Sequence, residues 1–398
     1  MHPVKKVYCR AFQTVFRIAI PVLPYRKPQV LDGLCSIPGI LKEKKADSVL
    51  LVTDENLRKL GLTKRLEEFL AEAGIACHVF DKVVPNPTTD NVEAARAVYI
   101  KGKCKAIIAF GGGSPMDCAK ATAARIARPH KSLPKMKGLL KVLKPTPTLI
   151  AVPTTAGSGS ETTLAAVITN SENHHKYVIN DFVLIPKFAV LDPAVTESLP
   201  KHIASTTGMD ALTHAVEAFI GRSTTRETRA DAIEATRLIF DHLEDACTVN
   251  DEDSRRHMLN ASYLAGSAFT KSYVGYVHAV AHTLGGAYNV PHGLANAVLL
   301  PNVLEAYGEA AEERLAILAT TIGLSGNTEE EKAKLFIKAI REMNRRLEIP
   351  TVIEELRRED IPRLAKLADA EANPLYPVPV LWDAKELESL YYTVLKED

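Results

Sequence analysis

Residues 273–293 read YVGYVHAVAHTLGGAYNVPHG, and three histidines, His278, His282 and His292, stand in this apolar, glycine-rich background. Earlier in the chain, TGMDALTHAVEAF places Asp210 and His214 four residues apart. On a helix that spacing puts both side chains on one face, and the same holds for His278 and His282. One carboxylate and up to four imidazoles can thus converge from three segments, a donor set suited to a divalent ion of the iron or zinc type. Each such polar group would cost roughly 1–3 kcal/mol if buried without a partner, and a shared metal accounts for their presence. A tetrahedral site takes four ligands, or three and an open position. Asp210, His214, His278, His282 and His292 make five candidates, so at least one has another task, and spacing does not say which. The histidines at 2, 78, 130, 202, 242 and 257 lack a partner at ligand spacing and read as surface residues, and His174 and His175 read as part of a polar turn.

Two glycine-rich turns carry the second chemistry. The apolar run AIIAF (106–110) leads into GGGSPMDCAK, where Gly111, Gly112, Gly113 and Ser114 turn the chain from strand to helix. Backbone N–H groups there, with the positive end of the following helix, suit a pyrophosphate. The turn is not a GxGxxG fingerprint, because Met116 stands where the last glycine would be. The loop PTTAGSGSETT (153–163) follows the next apolar run and offers hydroxyls at Thr154, Thr155, Ser158 and Ser160. Both loops follow sheet strands, where open α/β folds bind ligands. Asp54, ending VLLVTD, offers a carboxylate to a ribose 2′-OH and would repel a 2′-phosphate, which favours NAD over NADP. Its competing reading is an N-cap for a short helix over 55–60.

These residues need a scaffold. Apolar runs at 49–54, 75–80, 106–110 and 148–152 alternate with helical patterns at 62–74, 91–102 and 114–127, which predicts a parallel sheet covered on both faces. Runs at 165–169, 176–180 and 188–192 add strands. From Met209 onward almost every segment reads as helix. We therefore expect an α/β nucleotide-binding domain over 1–200 and an all-helical metal-binding and substrate domain over 201–398. A chain of 398 residues is long for one core, which agrees with two. The net charge of +1 gives no electrostatic case for nucleic acid or an anionic membrane, and no uncharged apolar run is long enough to span one. At the N-terminus Arg17 interrupts the apolar stretch and no small-residue cleavage site follows, so the segment reads as a cytoplasmic start that folds into the protein. The six cysteines contain no CxxC pair and read as reduced thiols.

Together, GGGSPMDCAK, PTTAGSGSETT, TGMDALTHAVEAFIG and GYVHAVAHTLGGAYNVPHGLANAVLLP resemble, in order, the signature blocks of the iron-containing (group III) alcohol dehydrogenase family. VTDENLRKLGLTK, VVPNPTTDNVEAA and EANPLYPVP are also similar to its text, from about residue 45 to the C-terminus. The resemblance implies a dehydroquinate-synthase-like two-domain fold and an NAD-linked alcohol dehydrogenase or aldehyde reductase, working as a homodimer or higher homo-oligomer. It implies Asp210, His214, His278 and His292 as ligands of Fe2+, with Zn2+ as an alternative, and His282 beside the nicotinamide and the alcohol, where it is the candidate proton relay. It carries the dinucleotide onto Asp54, Asn86, Gly112, Gly113, Ser114, Asp117, Thr154, Thr155, Ser158 and Lys176. AGSGSE stands where AGTGSE is common, and serine keeps the hydroxyl. Residues 1–44 are less typical of the family and read as edge strands or an oligomer contact. Segments 209–220 and 273–296 hold no Lys or Arg, which favours a small neutral alcohol, diol or aldehyde over the phosphorylated substrate of a dehydroquinate-synthase-like enzyme. A glycerol-dehydrogenase-like enzyme is the other alternative, and the intact ligand set argues against a non-catalytic homologue. SAFTKSYVGY, with Phe269, is expected in the substrate wall.

Overall fold

A computed structural model describes residues 1–173 and 175–396, so that His174 lies outside the described residues. The chain opens with helix α1 (Pro3–Ala19) and then alternates strand and helix: β1 (Gln29–Leu31), α2 (Ile37–Glu43), β2 (Ser48–Val52), α3 (Glu55–Lys59), α4 (Lys64–Glu72), β3 (Ala76–Phe80), α5 (Thr89–Lys101), β4 (Ala106–Gly111) and α6 (Gly113–Ala127). There follow β5 (Gly138–Leu139), β6 (Thr148–Pro153), β7 (Ala165–Thr169), β8 (Lys176–Asn180) and β9 (Phe188–Val190). Six strands form a parallel sheet in the order β1-β9-β6-β4-β2-β3. Strands β2 and β4 are buried along their whole length, as the continuous apolar runs require of a sheet covered on both faces. Alternate residues serve opposite faces: Leu50, Val52, Ile107 and Ala109 face one core, and Val49, Leu51, Ile108 and Phe110 the other.

Strand β3 lies on one side of β2 and β4 on the other, so the connections diverge at the crevice between β2 and β4. Such a switch point is where open α/β sheets bind ligands, and the segments that leave it are those of Asp54 and the triple glycine. Strands β7 and β8 depart from the expected single sheet. They pair antiparallel with each other and, with β5, form a separate three-stranded sheet. Burial alternates along both, as in a half-covered sheet, whereas β2 and β4 in the middle of the parallel sheet are buried continuously.

The remainder is helical: α7 (Lys201–Ile220), α8 (Arg226–Thr248), α9 (Glu252–Ser272), α10 (Tyr276–Tyr288), α11 (His292–Tyr307), α12 (Glu309–Thr321), α13 (Glu329–Arg346), α14 (Ile361–Ala372) and α15 (Ala384–Tyr392). One compact unit comprises residues 24–199, and the other comprises 200–398 together with 1–23. The first 23 residues therefore leave the α/β domain to which the sequence assigned them. Their cohesion is with the helical unit: Cys9, Gln13 and Ile20 of this segment are buried, Lys5 pairs with Asp369 at 2.8 Å, and the Met1 amino group reaches Glu386 at 2.7 Å. The sequence read this stretch as a start that folds into the protein, as edge strands or an oligomer contact; residues 3–19 form a helix instead, and its partners lie more than 360 residues away, where nothing local could name them.

Gly111 has φ +149°, and a Cβ there would stand 2.5 Å from Pro115 Cγ. Gly111→Ala is expected to destabilise the protein by about 1–3 kcal/mol and to shift the start of α6. Urea denaturation beside a Gly74→Ala control, a left-handed glycine with no neighbour near its Cβ, isolates the steric part.

Candidate metal centre and nucleotide loops

Three helices meet at the candidate metal centre. Helix α7 brings Asp210 and His214, α10 brings His278 and His282, and α11 begins at His292 directly after Pro291, whose proline fits the missing N–H of a helix start. Donor atoms of Asp210, His214, His278 and His292 all lie within 4.8 Å of one another. Asp210 Oδ1 is 3.5 Å from His292 Nε2 and 3.8 Å from His278 Nε2. Asp210, His214 and His278 are buried, while the His292 side chain keeps 43% of its exposure and so opens one side of the cluster. Helix α11 reaches this position because of Gly293, where a Cβ would stand 2.5 Å from the Thr206 carbonyl oxygen of α7.

The donor chemistry fits a cation. The amide nitrogen of Asn296 lies 2.6 Å from Asp210 Oδ1, 3.2 Å from His278 Nε2 and 3.1 Å from His292 Nε2. An amide carries two N–H groups, yet a carboxylate oxygen and two ring nitrogens converge on it. Burial pushes the Asp210 carboxyl up and the His278 imidazole well down. A neutral imidazole is the form that ligates a metal, and a buried carboxylate gains most from a neighbouring cation.

A residue that spacing alone did not single out sets His278. Glu217, buried on α7, takes His278 Nδ1 at 2.6 Å on one oxygen and accepts the Gly275 and Val277 N–H groups at 2.7 and 2.8 Å. It thereby caps α10 and directs His278 Nε2 to the cluster, the arrangement that fixes tautomer and ring orientation in metal sites. Gly275 is required for this contact, since a Cβ there would lie 2.6 Å from Glu217 Oε1. Burial pushes the Glu217 carboxyl up to about 7, against the pull of those backbone donors. A signal was present in the sequence: Glu217 follows Asp210 by seven residues on the same helix face, and acids are rarely buried unpaired.

His282 stands apart from the cluster, on the exposed side of α10. Its Nδ1 is 2.5 Å from Glu371 Oε1, which also accepts the Tyr376 hydroxyl at 2.7 Å, and its ring stacks on His292 at 5.2 Å. Glu371 and Tyr376 lie about ninety residues from His282, and no local pattern announces them. Phe269 stacks on His214 at 4.1 Å and so walls the cluster. The structure also brings together His242 and His257, read from sequence as unrelated surface residues. Their rings stack at 4.1 Å across α8 and α9, with Asp253 3.5 Å from His257.

In the α/β unit the two loops lie side by side. A Cβ on Gly112 would stand 3.3 Å from Thr155 Oγ1, and one on Gly113 would stand 3.8 Å from Ser158 Cβ. The Thr154 N–H donates to the Gly111 carbonyl at 3.1 Å. Asp117 accepts from the Ser160 hydroxyl and the Val167 N–H, so here it braces the second loop against α6. Lys120, fully buried and also missed by sequence reasoning, donates to Ser160, Thr163 and the Ala165 carbonyl. Burial lowers its ammonium to about 8 and raises the Asp117 carboxyl to about 6. Asp54 Oδ1 accepts the Asn56 and Leu57 N–H groups, which makes it the cap of α3. Ser114 lies in the first turn of α6. Asn86, exposed and left-handed at φ +57°, lies between β3 and α5, and Lys176 is exposed at the start of β8.

The chain matches two family descriptions. "Iron-containing alcohol dehydrogenase" covers residues 32–193, and "Fe-containing alcohol dehydrogenase family, C-terminal" covers 204–395. It is 38% identical over 367 residues to the 1,3-propanediol dehydrogenase of Klebsiella pneumoniae, covering 90% of this chain and 94% of that one. Among solved structures, a 1,3-propanediol oxidoreductase superposes with a TM-score of 0.89 at 35% identity, covering 93% of this chain and 99% of the other. A sulfoacetaldehyde reductase from Bifidobacterium kashiwanohense, solved in complex with NAD+, gives 0.83 at 29% identity over 94% and 99%.

Glu217→Gln places an amide N–H against His278 Nδ1 and favours the tautomer protonated at Nε2. The apo protein is expected to bind Zn2+ about 10- to 100-fold more weakly than wild type, as measured by competition with a chelating dye.

Proposed function

The chain belongs to the iron-containing alcohol dehydrogenase family, and we propose that it interconverts a small neutral primary alcohol or diol and its aldehyde, using NAD(H) and one divalent ion held by Asp210, His214, His278 and His292. It is an oxidoreductase of the alcohol–aldehyde class, as its relatives are. The observation that carries the proposal is the convergence of a carboxylate oxygen and two ring nitrogens on the single Asn296 amide nitrogen. One carboxylate and three imidazoles accept Fe2+, which we take as the native ion, and also Zn2+.

When bound, the ion supplies a Lewis acid for the substrate oxygen and the nicotinamide supplies the hydride acceptor or donor. The rest falls to the chain's own residues. Asp210 contributes negative charge, and His278, held neutral by burial and oriented by Glu217, contributes a directed lone pair. Phe269 and the apolar faces of α7, α9 and α10 exclude water around the donors. The open side lies at His292, next to His282. We assign proton handling to His282, with Glu371 holding the Nδ1 side so that exchange takes place at Nε2. The wall next to the donors lacks Lys and Arg throughout 209–220 and 273–296, which supports a neutral substrate. In the α/β unit, Gly112, Gly113 and Ser114 at the α6 N-terminus and Thr154, Thr155 and Ser158 beside them are proposed to hold the pyrophosphate, with Asn86, Lys176 and the Asp117-braced loop completing the nucleotide site. Asp54 uses one oxygen for its cap, and its carboxylate remains the reason to prefer NAD over NADP.

No described helix is long and apolar enough to cross a membrane. All six cysteines are free thiols, which supports a reducing, cytoplasmic location, and we expect a homo-oligomer.

Two outcomes test this reading. Metal-stripped protein is expected to lose NADH formation at 340 nm across a panel of short alcohols and diols, and Fe2+ or Zn2+ should restore it. His292→Ala should lose both metal content and more than about 100-fold in turnover, because loss of a ligand exceeds loss of its support. Full activity of the stripped protein would overturn the metal assignment. Separately, Asp54→Gly is expected to gain use of NADP+ relative to NAD+, read as the ratio of kcat/KM values, and an unchanged ratio would remove Asp54 from cofactor choice.

A further inference from the structure

Helix α1 lies N-terminal to the stretch that the family description covers, which begins at residue 32. Its inner face does more than fill space. Gln13 is buried, and its amide donates to the carbonyls of Pro374 and Tyr376 at 3.2 and 2.7 Å. Arg10 donates to the carbonyls of Val378 and Pro379, both at 2.7 Å, and to Gln13 Oε1 at 2.8 Å. Four carbonyls of the segment PLYPVP (374–379) are thus bound by two neighbouring side chains of one helix. The segment has neither helix nor strand, and three of its six residues are prolines without an N–H of their own. Its own backbone supplies one bond, from the Val378 N–H to the Tyr376 carbonyl at 2.9 Å, and the Arg222 N–H donates to the Pro377 carbonyl at 2.6 Å, so the carbonyls of Pro374, Val378 and Pro379 rely on the α1 side chains. The rings extend the same contact, Phe16 of α1 meeting Tyr273 edge-on at 5.1 Å and Tyr273 meeting Tyr376 at 6.5 Å. Tyr376 is the residue whose hydroxyl donates to Glu371 Oε1, the oxygen that also takes His282 Nδ1.

We infer that α1 is a positioning element for the reaction site: Arg10 and Gln13 hold segment 374–379 so that Tyr376 fixes the Glu371 carboxylate, and through it the ring of His282. The inference rests on the role proposed above for His282. Arg10 and Gln13 touch neither substrate nor metal and act only through Tyr376 and Glu371. A helix that merely covered apolar surface would have no need of a buried glutamine and a half-buried guanidinium aimed at the backbone of this one segment, since burying them without partners is costly.

The test uses the full-length, metal-loaded enzyme with Gln13→Ala, Arg10→Met, Arg10→Lys and Tyr376→Phe. Gln13→Ala and Arg10→Met are each expected to lower kcat by about 10- to 100-fold, the scale of a small misplacement of a reacting group, with KM for NAD+ and metal content unchanged. Arg10→Lys should recover part of that loss. Gln13→Ala combined with Tyr376→Phe should lose no more than the worse single variant, because both act along one path. Hydrogen exchange on the metal-free proteins supplies a readout independent of turnover: amides of 373–380 should lose protection in Gln13→Ala while those of 209–220 keep it. A fall in thermal stability with kcat unchanged, or losses that multiply in the double variant, would overturn the inference. His282→Ala separates the two claims. If it retains full turnover, the role of His282 fails, and exchange at 373–380 alone decides whether α1 holds the segment. If His282→Ala is impaired and the α1 variants are not, only the inference about α1 fails.

Discussion

A carboxylate buried between α7 and the start of α10 organises the candidate metal centre. Glu217 reaches from α7 to the first turn of α10, where it binds two backbone N–H groups and the imidazole of His278. Those N–H groups would be orphans at a helix start, and in an apolar interior each would cost about 1–3 kcal/mol. The same charge that stabilises the helix end chooses the tautomer of the candidate ligand His278. The helix start and the donor set are therefore one structure, and neither can be adjusted without the other. Gly275 and Gly293 serve it sterically, one by admitting the carboxylate and the other by admitting α11 against α7.

A similar economy holds in the α/β unit, with the charges reversed. There a buried ammonium, Lys120, gathers two hydroxyls and a carbonyl from the second loop and β7, while Asp117 on the same helix takes the Ser160 hydroxyl and the Val167 N–H. Helix α6 thus positions both glycine-rich segments. Its N-terminus begins at the first, and its Asp117 and Lys120 hold the second. Burial presses the two groups toward their neutral forms, and their mutual attraction and hydrogen bonds oppose that pressure. Loops rich in glycine and serine would otherwise be the least ordered part of this candidate nucleotide site.

The N-terminal helix shows the same principle at longer range. Segment 374–379 makes one backbone bond of its own, from the Val378 N–H to the Tyr376 carbonyl, and four of its carbonyls take donors from side chains nearly the whole chain away. This explains why α1 belongs with the helical unit although it precedes the first strand of the other.

Much of this could be read from sequence because it is local. Helical spacing placed Asp210 with His214 and His278 with His282, continuous apolar runs foretold the parallel strands, and the triple glycine marked a turn that Gly111 confirms with its φ. The spacing yielded five donor candidates, and geometry groups four of them with His282 set apart on Glu371. What stayed hidden depends on contacts between distant segments. Glu217 was one more acid on a helix until α10 was packed against it, and Glu371 and Tyr376 gained meaning only when α14 met α10. Strands β7 and β8 pair with each other outside the main sheet, and neither partner nor pairing direction is written in either strand alone. The chain by itself thus determined which residues could ligate, turn or pair, since periodicity and backbone sterics act over a few residues. Tertiary structure alone decided which of them come together, because tautomer, desolvation and the convergence of donors are properties of neighbours in space.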